Sequence, residues 1–194
     1  MKVYATSDQH FTHHNIIKYA QRPFELSTKG VNDCIETIVN NYNQIVTDED
    51  VVIFVGDLAH GRNYNEQILR DIINSMKGKK ILVKGNHDTF SDSFYRTLFV
   101  DVKEYIEIGK YFISHYPCYK SKWMLTETEK KHTEIIDTDK CSVVIHGHIH
   151  NKNPNLWAPD GIYRINVSVD YALNEFKPVE LKDPVIVDYF SRYK

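Results

Sequence analysis

Cysteine is scarce. The three in this chain of 194 residues, Cys34, Cys118 and Cys141, are odd in number and far apart. They form neither a disulfide framework nor a CxxC zinc site, and read as buried thiols of a reducing compartment. An excess of charge is also missing. Lysine plus arginine is 24 and aspartate plus glutamate 26, giving a net charge of −2. That balance argues against binding long duplex nucleic acid through bulk charge, while leaving room for a small anion held by a local site. Long apolar runs are absent as well, so no transmembrane helix is expected. The opening MKVYATSDQH turns polar at Thr6 and lacks the apolar region of a signal peptide. Without repeats, low-complexity stretches or linkers, the reading is one cytoplasmic domain over residues 1–194, with no membrane partner. What the chain does have in number is histidine, ten in all, the residue most used as metal ligand and acid–base group.

Short β-branched runs end abruptly in polar clusters. Val3–Thr6 leads into Asp8-Gln9-His10, and Val51–Val55 into Gly56-Asp57. Ile81–Val83 leads into Gly85-Asn86-His87-Asp88, Tyr111–Ile113 into Ser114-His115, and Val143–Ile145 into His146-Gly147-His148-Ile149-His150. Such runs are buried strands. Between them, Val31–Val46 carries Cys34, Ile35, Ile38, Val39 and Tyr42 at helical spacing, and Tyr64–Met76 repeats the pattern, with Gly78 as its stop. Lys103–Ile108 and Tyr111–His115 read as a hairpin around Gly109-Lys110, and Gly161–Val169 as a strand. Asp183-Pro184 reads as the cap of a last helix. Lys120–Asp139 is charged and irregular, an excursion that fits a lid. Strands alternating with helices give a layered α/β or α+β domain, whose sites lie at the strands' carboxyl ends.

Together the clusters offer Asp8, His10, Asp57, Asn86, His115, His148 and His150. Seven mixed nitrogen and oxygen ligands are too many for one tetrahedral zinc and suit two ions sharing a carboxylate. Imidazole with carboxylate favours zinc, iron or manganese over magnesium or calcium. If Asp8-x-His10 and His148-x-His150 continue their strands, the period of two puts each pair on one face. Glycines at 56, 85 and 147 allow close backbone approach.

The series D-x-H, GD, GNHD, H, GHxH, in this order from residue 8 to 150, resembles the calcineurin-like metallophosphoesterase superfamily. The chain is most similar to its small, compact bacterial and phage-type members. The resemblance implies two packed mixed β-sheets flanked by helices. It assigns Asp8, His10 and His150 to a first metal and Asn86, His115 and His148 to a second, with Asp57 bridging both. It also implies a bridging hydroxide as nucleophile. His87 would then be the general acid, oriented by Asp88. The cofactors would be two divalent ions, manganese first, with iron, zinc, nickel or cobalt as alternatives.

Substrate contacts are expected from Asn86, Arg62, His60 and His13, with His14 as an alternative to His13. A guanidinium such as that of Arg62 can fork onto phosphate. His146 reads as support for its strand end and His132 as solvated. Tyr116, Tyr119 and Trp123 could stack on a base but read equally well as packing. The expected substrate is a phosphodiester, cyclic or short nucleotide-like. A phosphomonoester or pyrophosphate comes next, and a catalytically silent metal-binding scaffold is the alternative of another class.

Overall fold

The computed structural model describes residues 1–61, 65–118, 140–151 and 161–193. Val3–Thr6 (β1), Val51–Phe54 (β2), Lys79–Val83 (β3) and Asp101–Lys103 (β4) pair in parallel, in the order β4-β3-β2-β1. Val179–Glu180 (β9) closes the free edge of β1 in antiparallel fashion. A second sheet joins Ile106–Ile108 (β5), Tyr111–Ile113 (β6), Val143–His146 (β7) and Tyr163–Asn166 (β8) in chain order. Its β5–β6 pair is the expected hairpin, turning at Gly109 with φ +54°; the other pairs are parallel.

Alternation along the strands builds two cores. Tyr4, Val52, Phe54 and Leu82 face Cys34, Ile38 and Tyr42 of the helix Thr28–Ile45 (α1), and Leu69 and Ile73 of the helix Glu66–Asn74 (α2). Their neighbours Val3, Ala5, Val51, Ile53 and Ile81 turn the other way. They meet Ile106, Ile113 and Ile145 of the second sheet, with Ile186 and Phe190 of the helix Pro184–Phe190. The result is the expected pair of packed mixed sheets flanked by helices. At one end the sheets are also joined through the backbone. The Ser7 amide donates to Val167 O at 3.0 Å, and the Val169 amide donates to Ser7 O at 3.0 Å. Cys34, Cys118 and Cys141 are all buried.

Several boundaries differ from the sequence reading. The helix expected from Val31 begins at Thr28 because Ser27 caps it, accepting from the Gly30 amide at 3.1 Å. The helix expected to reach Met76 ends at Asn74, and Gly78, with φ +79°, turns the chain into β3. Of Gly161–Val169, Tyr163–Asn166 is strand. Tyr64 and the lid expected at Lys120–Asp139 lie outside the described residues. Among the described residues, no helix is long and apolar enough to cross a membrane.

Gly30 gives a test of packing against propensity. Alanine is worth about 1 kcal/mol over glycine inside a helix. Here, however, its Cβ would press on the Glu25 carbonyl group, 2.8 Å from the carbon. Gly30→Ala is expected to destabilise the fold by about 1–3 kcal/mol, as overpacking does. Urea unfolding reads the midpoint, and a rise would overturn this packing argument.

Candidate metal centre

Parallel pairing brings the ends of β1, β2, β3, β6 and β7 to one rim, and the polar clusters leave from there. They do not leave as strand. β1 stops at Thr6 and β7 at His146. Asp8, His10, Asp57, His148 and His150 then adopt left-handed backbones, with φ of +59°, +48°, +56°, +69° and +52°. This corrects the period-two argument for Asp8-x-His10 and His148-x-His150: left-handed turns, not the pleat, aim these side chains. A non-glycine residue held there costs on the order of 1–3 kcal/mol and persists only where its surroundings impose it. The surroundings do so through backbone hydrogen bonds. The Asp8 amide donates to Gly56 O and the His10 amide to Asp57 O, each at 3.0 Å. The loops also meet where only glycine fits. A Cβ at Gly147 would lie 2.6 Å from Asp8 Oδ2, and one at Gly56 2.7 Å from His115 Nδ1.

The turned side chains converge in two groups. Asp8, His10 and His150 each offer one ligand atom within 4.8 Å of the others, and so do Asp57, His115 and His148. Asp57 joins the groups, since its Oδ2 is 3.3 Å from His115 Nε2 and 3.5 Å from His10 Nε2. Hydrogen bonds set the imidazoles. His115 Nδ1 lies 2.9 Å from Val55 O, an acceptor, so it carries the proton and leaves Nε2 facing Asp57 and His148. Asp8 is held by the His148 amide at 3.0 and 3.1 Å and by the Ser7 hydroxyl at 2.7 Å.

The electrostatics fit a cation. Burial alone would raise the Asp57 carboxyl, yet His115 and His10 hold it well below the usual carboxylate range. Burial would lower His115, but Asp57 and Asp8 raise it to about 9. His10 is lowered by burial, and both its ring nitrogens are buried without a hydrogen-bond partner. Buried polar atoms are seldom left so, and an imidazole with a carboxylate at hand is a ready ligand.

The remaining expected residues divide. Asn86 Oδ1 accepts from the Tyr116 hydroxyl at 3.4 Å. The Tyr116 ring packs on His115 and His148, beside the second group. His87 faces a cleft of about 710 Å³ over the groups, also lined by His13, His60, Tyr19, Asn15 and Asn151. Its ring stands 4.3 Å from that of His60 and 5.3 Å from that of His10, and burial lowers its pKa. His14 points elsewhere, into a groove between α1 and α2. Asp88 does not orient His87, contrary to expectation. Its carboxylate accepts from the amides of Gly85 at 2.7 Å, Asp57 at 2.9 Å and Leu58 at 3.0 Å, and so shapes the loop that presents Asp57. His146 is fully buried with Nδ1 on Gly147 O, outside both groups. Arg62, Tyr119, Trp123 and His132 lie outside the described residues.

Two residues behind the first group escaped the sequence reading. Asp170 Oδ2 is 2.7 Å from His150 Nδ1, and Arg22 forks onto Asp170 at 2.6 and 3.0 Å. Asp170 follows the alternating stretch Ile165-Asn166-Val167-Ser168-Val169, a weaker sign than the apolar runs that precede the other clusters. Arg22 sits in a loop with no pattern around it.

Residues 1–123 match the calcineurin-like phosphoesterase family. The uncharacterized protein MJ1445 of Methanocaldococcus jannaschii is 31% identical over 180 residues, 93% of this chain and 87% of its own. The crystal structure of AQ665 from Aquifex aeolicus, a protein of unknown function, is 26% identical. It aligns over 100% of this chain and 99% of its own, with a TM-score of 0.66. The phosphopantetheinyl hydrolase PptH of Mycobacterium tuberculosis is 15% identical over 94% of this chain and 96% of its own, with a TM-score of 0.44. With matching strand-end clusters and two sheets in the expected arrangement, the chain belongs to the calcineurin-like phosphoesterase family.

Proposed function

We propose that this chain, acting as one domain, hydrolyses a phosphodiester with two divalent ions, the substrate being a cyclic or short nucleotide-like ester. The observation that carries the reading is Asp57 Oδ2 standing 3.3 and 3.5 Å from one imidazole of each ligand group. Asp8, His10 and His150 would hold one ion, Asn86, His115 and His148 the other, and Asp57 both. The family resemblance puts manganese first, and the mixed nitrogen and oxygen set also suits zinc and iron. Two such ions activate water and neutralise phosphoryl charge. The protein's own part is to hold the ester in the cleft and to manage the leaving group's proton. His87 faces that cleft. Its lowered pKa makes its charged form a stronger acid toward a leaving oxygen. His13 and His60 flank it and are suited to donate hydrogen bonds to phosphate oxygens. Imidazoles, two amides, Ile16 and Tyr19 line the space. That lining suits a singly charged ester with an organic group on each side better than a dianionic monoester.

Asp57→Asn is expected to weaken both ion sites and abolish turnover; two bound ions with full activity would refute the bridge. His87→Ala is expected to cut turnover by about 10²–10⁴-fold, the range of a general acid, with ion content unchanged by elemental analysis. Loss of ions would make His87 a ligand instead. With manganese added, bis-p-nitrophenyl phosphate should be hydrolysed in preference to p-nitrophenyl phosphate. The reverse order would replace the diester with the monoester, and silence toward both with ions bound would favour a scaffold.

His115, raised to about 9, must lose its proton to bind an ion. Loading at pH 7 should therefore release protons, and the release should fade as pH rises through about 9. Calorimetry in buffers of different ionisation enthalpy reads this. A heat of loading at pH 7 independent of buffer would contradict it.

A further inference from the structure

We propose that the buried pair Arg22–Asp170 is a positioning unit for the Asp8–His10–His150 ion site alone, directing all three of its ligands. This rests on the two-ion reading above and adds to it a cause of difference between the sites.

Asp170 acts on His150. A carboxylate can only accept from a neutral imidazole, so the 2.7 Å contact of Asp170 Oδ2 with His150 Nδ1 places the ring proton on Nδ1. Nε2 is then left as the lone-pair nitrogen toward Asp8 and His10. A carboxylate behind a ligating imidazole also strengthens it as a donor. The peptide of His150 is fixed separately, its oxygen accepting from Asn166 Nδ2 at 2.8 Å.

Arg22 acts on the loop that carries the other two ligands. While Nε and Nη2 fork onto Asp170 at 2.6 and 3.0 Å, Nη2 also donates to Asp8 O at 2.8 Å and Nη1 to Gln9 O at 3.0 Å. These carbonyls belong to the loop in which Asp8 and His10 are left-handed. One guanidinium thus braces the strained loop of the first sheet against the carboxylate that steers a ligand from the second.

The side chains of Arg22 and Asp170 are 2% and 0% exposed, so neither is placed to touch a substrate in the cleft. A buried ion pair is weak evidence for stability, because apolar residues of similar volume often serve as well. A pair joined at once to a ligand ring, to the Asp8 carbonyl and to the Gln9 carbonyl of the peptide that leads into His10 points to the ion site. In the other group, Asp57 Oδ1 accepts from the His87 amide at 2.9 Å and His115 Nδ1 donates to Val55 O at 2.9 Å.

The test is titration of the full, ion-free chain with manganese by calorimetry and with cobalt by visible absorption, in wild type and Asp170→Asn. Wild type is expected to take two ions. Asp170→Asn should weaken one by about 10–100-fold, as loss of a group behind a metal ligand does, and leave the other unchanged. Equal affinities in variant and wild type would overturn the proposal. So would equal weakening of both ions, the mark of a general structural support. If Asp170→Asn does not fold, Arg22→Lys keeps a cation but not the fork, and the same one-sided loss is expected. A wild type that takes one ion, weakened by the variant, would sink the two-ion reading and leave this inference standing. A wild type that takes none would end both.

Discussion

Because β1, β2 and β3 run parallel in one register, with Thr6 beside Phe54 and Phe54 beside Leu82, their carboxyl ends leave the sheet at a single level. The second sheet repeats this with Ile113, Ile145 and Ile165 abreast. The backbone bond of Ser7 to Val167 and Val169 sets the two rims face to face. Everything chemical hangs on that alignment. Carboxylates and imidazoles that repel or desolvate one another are gathered in a small volume because apolar strands, buried on both faces, leave the loops no other place to start.

The gathering works against stability, and the structure answers it locally. Left-handed turns at five clustered residues store strain, and His10 is buried with neither ring nitrogen satisfied. Around them stand compensations: three amides on Asp88, the His148 amide and Ser7 hydroxyl on Asp8, and Arg22 on the carbonyls of Asp8 and Gln9. The strain lies where charge is concentrated, as expected of a site organised before its ions arrive.

The strands and the polar clusters at their ends were legible in sequence from short-range signals, an apolar run and then Asp, His or Asn, whereas the paired sheets and the division of the ligands into two groups came from the family resemblance. What was not legible needed tertiary knowledge. The pleat argument for Asp8 and His10 failed because nothing in S-D-Q-H marks the change from extended to left-handed backbone. Asp88 looked like a partner for its neighbour His87, but three amides from two loops claim its carboxylate. Asp170 ends an alternating stretch, Ile165 to Val169, and its meaning depends on Arg22, 148 residues away in sequence. Short strands such as β4 and β9 are set by pairing to a formed neighbour, and their own residues carry little signal.

The Ser7 bridge has a consequence for how the chain is made. Chains emerge from the ribosome amino-terminus first, at about 5–20 residues per second. The Asp8–His10 loop therefore emerges well before the partners of the Ser7 peptide at Val167 and Val169, and before the Asp170 behind His150. Until then the first sheet has β1 to β4 and the helices Thr28–Ile45 and Glu66–Asn74, but neither β9 nor the helix Pro184–Phe190, and only half of the rim. The order of synthesis thus makes the ion pocket a late event, closed by the same segment that docks the second sheet.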